Sequence, residues 1–125
     1  MAESVIKKIK ASEVLEDRSL ETVNFTPNST NLNNNAVRCR KRGNIVMMQI
    51  SLSLKALEGS TSTYTVGSIP SSAAPAFSVN TVLTKINSNS QVLLFQVDSD
   101  GTVKVSNSGT ASTAGWFDGS LTWLI

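Results

Sequence analysis

In the stretch IVMMQISLSL, Val46, Met48, Ile50, Leu52 and Leu54 fall on every second position, with Ile45, Met47, Gln49, Ser51 and Ser53 between them. A period of two is the signature of a strand with one face buried. The alternation begins upstream, where Val37, Cys39 and Lys41 take one side and Arg38, Arg40 and Arg42 the other. Gly43-Asn44 supplies the reversal, so residues 37–54 predict a β-hairpin with a basic first strand and an apolar second. Val23 and Phe25 alternate with Thr22 and Asn24, and the run TPNSTNLNNN (26–35) is expected to break that strand, because Pro and clustered Asn favour turns. Four further strands follow from the same pattern: STYTVGSI (62–69), FSVNTVLTKI (77–86), QVLLFQV (91–97) and TVKVS (102–106). A loop, NSGTASTAG (107–115), leads to GWFDGSLTWLI. There Phe117, Gly119, Leu121, Trp123 and Ile125 share one face, and Trp116, Asp118, Ser120, Thr122 and Leu124 the other. Apolar residues on both faces near the end place this strand inside a sheet or at a contact between subunits.

The period changes only at the start. In AESVIKKIKASEVLE (2–16), Val5, Ile6 and Ile9 cluster on one side and Lys7, Lys8 and Lys10 mainly on the other, which predicts a short helix. A helix of this length is marginal alone. It either lies on the parent domain or forms the stub of an oligomeric stalk. The expected organisation is therefore a helical stub over residues 1–18 and a β domain over 19–125. About seven short strands joined by Ser-, Gly- and Asn-rich connections make an all-β fold, an antiparallel β-sandwich or jelly-roll-like head.

Composition narrows the chemistry. Ser, Thr and Asn supply 42 of 125 residues, and charged residues only 16%. The surface is then largely hydroxyl and amide, suited to hydrogen bonding with sugars and to assembly. The net charge of +2 is too small for a nucleic-acid binder, and its excess is confined to residues 1–42. There is no histidine, and Cys39 is the only cysteine, so the usual zinc sites, an internal disulfide and the commonest general base are all missing. The sequence contains no uninterrupted apolar run that reads as a signal peptide or a membrane span, which points to synthesis in the cytosol and no membrane insertion. Asp98-Ser99-Asp100-Gly101 echoes the opening of a calcium loop, but β-branched residues flank it and no Glu follows at the required distance. It is read as a tight turn. Neither a metal nor another cofactor is expected.

The closing third of the chain resembles a known group. VLLFQVDSDGTVKVS followed by GWFDGSLTWLI is similar to the C-terminal head domains of receptor-binding proteins in the tail fibres and baseplates of bacteriophages and prophages. In those a strand ending in DG-T-[VI]-x-[VI] precedes a closing W-x-x-G-S-[VFL]-T-[WY], matched here by Phe95 to Val105 and Trp116 to Trp123. The resemblance covers residues 37–125 in layout and is specific over about the last 30. It implies a homotrimer at a virion tail or baseplate, made in the host bacterial cytoplasm, that binds host cell-surface saccharide or docks on another tail protein. The N-terminal stub would join the trimer neck. Family members carry a longer upstream shaft than the 20 or so residues available here.

A saccharide site needs an aromatic ring to stack on a sugar face, with carboxylate, amide or guanidinium groups around it. Trp116 with Asp118 is the best local combination; its alternative is a Trp116 that plugs a sandwich end or a trimer seam. Tyr64 is the only tyrosine, either a ligand platform or an ordinary strand residue. Arg38 and Arg40, with Arg42, form a row able to meet phosphates of an anionic glycan, or a solvated face paired with a neighbour's carboxylates. No catalytic residues are expected: GxSxG, P-loop and dinucleotide motifs are missing, and Asp98 and Asp100 are too close in a turn to flank a glycosidic bond. The alternative to receptor binding is a structural virion subunit, a decoration or baseplate component that binds only protein.

Overall fold

The computed structural model describes residues 20–56, 62–86, 91–107 and 114–125. Ten strands run through them: β1 (Glu21–Val23), β2 (Thr26–Pro27), β3 (Leu32–Asn35), β4 (Arg38–Arg42), β5 (Ile45–Leu54), β6 (Ser62–Ser68), β7 (Val79–Lys85), β8 (Val92–Val97), β9 (Thr102–Asn107) and β10 (Gly115–Leu124). The only helical element among them is a 3₁₀ turn at Ser71–Ala73. The stub expected over residues 1–18 lies outside the described residues, as does most of the 107–115 loop.

All pairings are antiparallel and continuous in the order β1-β4-β5-β10-β7-β8-β9-β6-β2, with β3 extending the β4 edge along the far half of β5. β1 and β2 terminate opposite ends of this path, yet only Asn24 and Phe25 separate them in the chain. Three Cα–Cα steps span at most about 11 Å, so the sheet has to curl until its two ends meet. Phe25 caps the closure: a Cβ on Gly67 of β6 would stand 2.4 Å from Phe25 Cζ, so only glycine lets the ring lie on that strand.

The alternation seen in the sequence fills the interior. Val46, Met48, Ile50, Leu52 and Leu54 of β5 are buried, as are Leu93, Phe95 and Val97 of β8, Val103 and Val105 of β9, and Phe117 and Trp123 of β10. Cys39 joins them, and burial pushes its thiol up to about 11. The β4–β5 hairpin has the expected register, Arg42 opposite Ile45 around Gly43-Asn44.

One expectation needs correction. TPNSTNLNNN does not merely interrupt a strand. It contains β2 and β3, with a turn between them in which Asn28 O accepts from the N–H groups of Asn31 and Leu32. The Asn residues of β3 are tolerated because only Leu32 needs to point inward. The closing strand lies inside the sheet as expected, between β5 and β7, although only β5 pairs with its whole length. β10 matches β5 from Gly115↔Leu54 to Leu124↔Ile45, whereas its register with β7 covers only Phe117 and Asp118. Its last residues are held instead from the inside. Trp123 is buried and its Nε1 donates to Ala73 O at 2.8 Å, while Ile125 N donates to Asn44 O.

Candidate functional site

Because the inward positions of β4, β5 and β10 are apolar, their other positions form an outward face whose composition is set by register. Arg38 of β4 stands opposite Gln49 of β5, which stands opposite Ser120 of β10. One outward step along, Asp118 stands opposite Ser51, whose Oγ donates to Asp118 Oδ1 at 2.6 Å. These five side chains line a shallow groove of about 440 Å³. A second depression of about 320 Å³ adjoins it on the β1 side, sharing Arg38 and Gln49 and adding Arg40, Met47 and Leu20.

The structure thus brings together three of the five residues singled out in the sequence. Arg38 and Asp118 line the first groove, and Arg38 and Arg40 line the second. All three are exposed, and among the described residues neither arginine makes an ion pair. Trp116 is half-buried, opposite Ser53, and is not among the groove residues; it lies one outward position beyond Asp118, about 7 Å along the strand. Tyr64 is elsewhere. It sits on β6 opposite the buried Val105, half-buried against the core and away from both grooves.

Gln49, Ser51 and Ser120 escaped the sequence reading. Their signal was present as polar residues on the unburied side of two strands. What could not be seen was the pairing of β5 with β10, whose partners lie 61 to 79 residues apart and which sets them beside Arg38 and Asp118.

The DSDG segment is the expected turn. Gly101 N donates to Asp98 O, Asp98 N to Thr102 O, and Gly101 adopts φ +91 with Ile69 O so close that a Cβ would clash. Asp100 is spent on the turn, its Oδ1 accepting from Thr102 N, a bond that draws its carboxyl below the usual range. Asp98 accepts from Lys104 Nζ at 2.6 Å, Gln96 Nε2 at 2.6 Å and Ser78 Oγ at 3.0 Å. Lys104, then Gln96, hold its carboxyl below the ordinary value, and Asp98 in turn raises Lys104. Among the described residues no cluster of three metal-ligating side chains occurs, and no helix is long and apolar enough to cross a membrane.

Among the described residues the chain is a curled antiparallel sheet with almost no helix, bearing an open polar groove on its outer face. The structure superposes on the head domain of lactococcal phage bIL170, described as a receptor binding domain, with a TM-score of 0.65. The match covers 86% of this chain and 99% of that one, at 12% sequence identity. No protein-family model matches the chain, and no curated protein matches its sequence.

Proposed function

We propose that this chain is the head of a phage or prophage receptor-binding protein, carried on a virion tail or baseplate and made in the cytoplasm of the host bacterium. In this reading a jelly-roll-like head, assembled as a homotrimer, recognises host-surface saccharide without chemistry. The observation that carries it is the extent of the fold match: 99% of a phage receptor-binding head is matched by 86% of this chain.

The groove between Arg38 and Asp118 supports the same reading. Sugars are bound in shallow, solvent-exposed sites through bidentate contacts to neighbouring hydroxyls, and a carboxylate, a guanidinium and an amide converge there. Each such site is weak, and several heads on one rigid particle convert weak contacts into firm attachment. The alternative, a subunit that binds only protein, is favoured by one feature. On the outer face of β7 and β8 the directly opposed Val82 and Leu94 are exposed, with Val92 and Ile86 close by. In the trimeric reading this strip is where copies meet.

The test is a broad glycan array probed with the head displayed multivalently. Receptor binding predicts signal on a restricted set of glycans, reduced about tenfold or more by Asp118→Ala or Arg38→Ala, each of which removes a charge-assisted contact. A subunit that binds only protein leaves the array blank.

A further inference from the structure

The two depressions on the outer face differ in chemistry and share a wall. The first has a carboxylate, two hydroxyls and an amide: Asp118, Ser51, Ser120 and Gln49. Such a set both donates to and accepts from neutral hydroxyl groups. The second has two guanidinium groups, Arg38 and Arg40, around two partly exposed apolar side chains, Met47 and Leu20. It offers paired donors for an anion and an apolar floor for a methyl group. Arg38 and Gln49 belong to both.

We infer that the two depressions form one site with two compartments, which reads two adjacent sugar units of different chemistry. A neutral, hydroxyl-rich ring occupies the Asp118 compartment. An anionic unit bearing an acyl or other methyl-ended substituent occupies the Arg40–Met47 compartment, and Arg38 spans the linkage. The inference deepens the saccharide reading proposed above and rests on it.

Geometry sets the direction of the ligand. From β10 through β5 and β4 to the start of β1 are three strand spacings, about 14 Å across the sheet, which is longer than one pyranose ring. The ligand therefore runs obliquely over the strands, because Arg40 and Met47 lie one outward step along from Arg38 and Gln49, and Ser51 and Asp118 one step the other way. Polarity sets its sense. Asp118 would repel an acidic group in the first compartment, and the two unpaired arginines leave a positive field in the second. Arg40 stands directly opposite Met47, so anion and methyl recognition occur on neighbouring side chains and suit groups carried by a single sugar unit.

The experiment uses the full chain, displayed multivalently, against four immobilised probes: lactose, diacetylchitobiose, 3′-sialyllactose and N-acetylglucosamine 1-phosphate. The last two combine an acyl group with a carboxylate and a phosphate respectively, so they separate the two sources of negative charge. At least one acidic probe is expected to bind about tenfold more tightly than either neutral probe, the equivalent of one charge-assisted contact, with the advantage shrinking as salt is raised. Arg40→Ala, at an exposed position, should erase that preference while binding to neutral probes persists, and Met47→Ser, also exposed, should weaken the acyl-bearing probes relative to lactose. Asp118→Asn should weaken every probe that binds. Equal binding of neutral and acidic probes, or a preference untouched by both Arg40→Ala and Met47→Ser, overturns the two-compartment site and leaves the saccharide reading standing. Silence from these probes and from the broad glycan array overturns the saccharide reading itself.

Discussion

Asp98 shows how much one side chain can organise. Its carboxylate receives Ser78 from the approach to β7, Gln96 from β8 and Lys104 from β9, tying three segments together at one end of the sheet. Because these partners favour the charged form, its folded pKa lies below the unfolded value, with Lys104 the largest cause. The stabilisation is therefore complete above the unfolded carboxyl pKa, about 4, and is lost as pH falls through the lower folded value. Thermal unfolding followed from neutral pH into acid should show a steeper fall for the native protein than for Asp98→Asn; coincident acid limbs would remove Asp98 from this role. The turn around it could be read from DSDG alone, since Gly and Asp are turn residues whatever surrounds them. Its partners could not, because Ser78 and Lys104 reach Asp98 only through strand register.

At the scale of single elements, β10 repays closest attention. Its alternating pattern announced a strand, and its apolar end announced burial. It is flanked on both sides as expected, by β5 and β7, but its last residues pair with β5 alone. A strand can also be secured through one hydrogen-bonded neighbour and one deeply inserted ring, and Trp123 is that ring, with its indole N–H on the Ala73 carbonyl. Trp123→Phe keeps an aromatic residue but leaves that carbonyl without its donor. It should lower the free energy of unfolding by roughly 1–3 kcal/mol, seen as a lower urea midpoint with the slope unchanged. An unchanged midpoint would mean that pairing with β5 alone secures the end. β3 teaches the reverse lesson. LNNN has almost no intrinsic strand signal, yet it pairs with β5 because that strand is long enough to offer a free edge beyond β4. Tertiary context overrode local propensity there.

For the whole molecule, the decisive feature is closure. Among the described residues, a sheet whose first and last strands are two residues apart encloses one core and turns its other face outward. The proposed trimer predicts, in gel filtration with light scattering, three times the 13.3 kDa chain mass. Leu94→Asp, on the exposed apolar strip, should shift it toward the single chain by placing a charge in the contact. A native protein that elutes as one chain would count against the trimer but not against the fold. Attachment through many weak heads would then need another means of multivalency.

Most strands, the all-β class and the inward faces of β5, β8, β9 and β10 follow from the order of residues alone. A two-residue period can bury an apolar face in only one way, and turn residues act locally. Arg38, Arg40 and Asp118 were legible as candidates because charged residues on the open side of a strand stand out in a chain so poor in charge. Their meeting on one grooved face was not legible, nor were the placement of Tyr64 and Trp116 away from the grooves and that of Gln49, Ser51 and Ser120 within them. Those facts depend on which distant strands pair and in what register, a choice made by the core as a whole when the sheet curls shut.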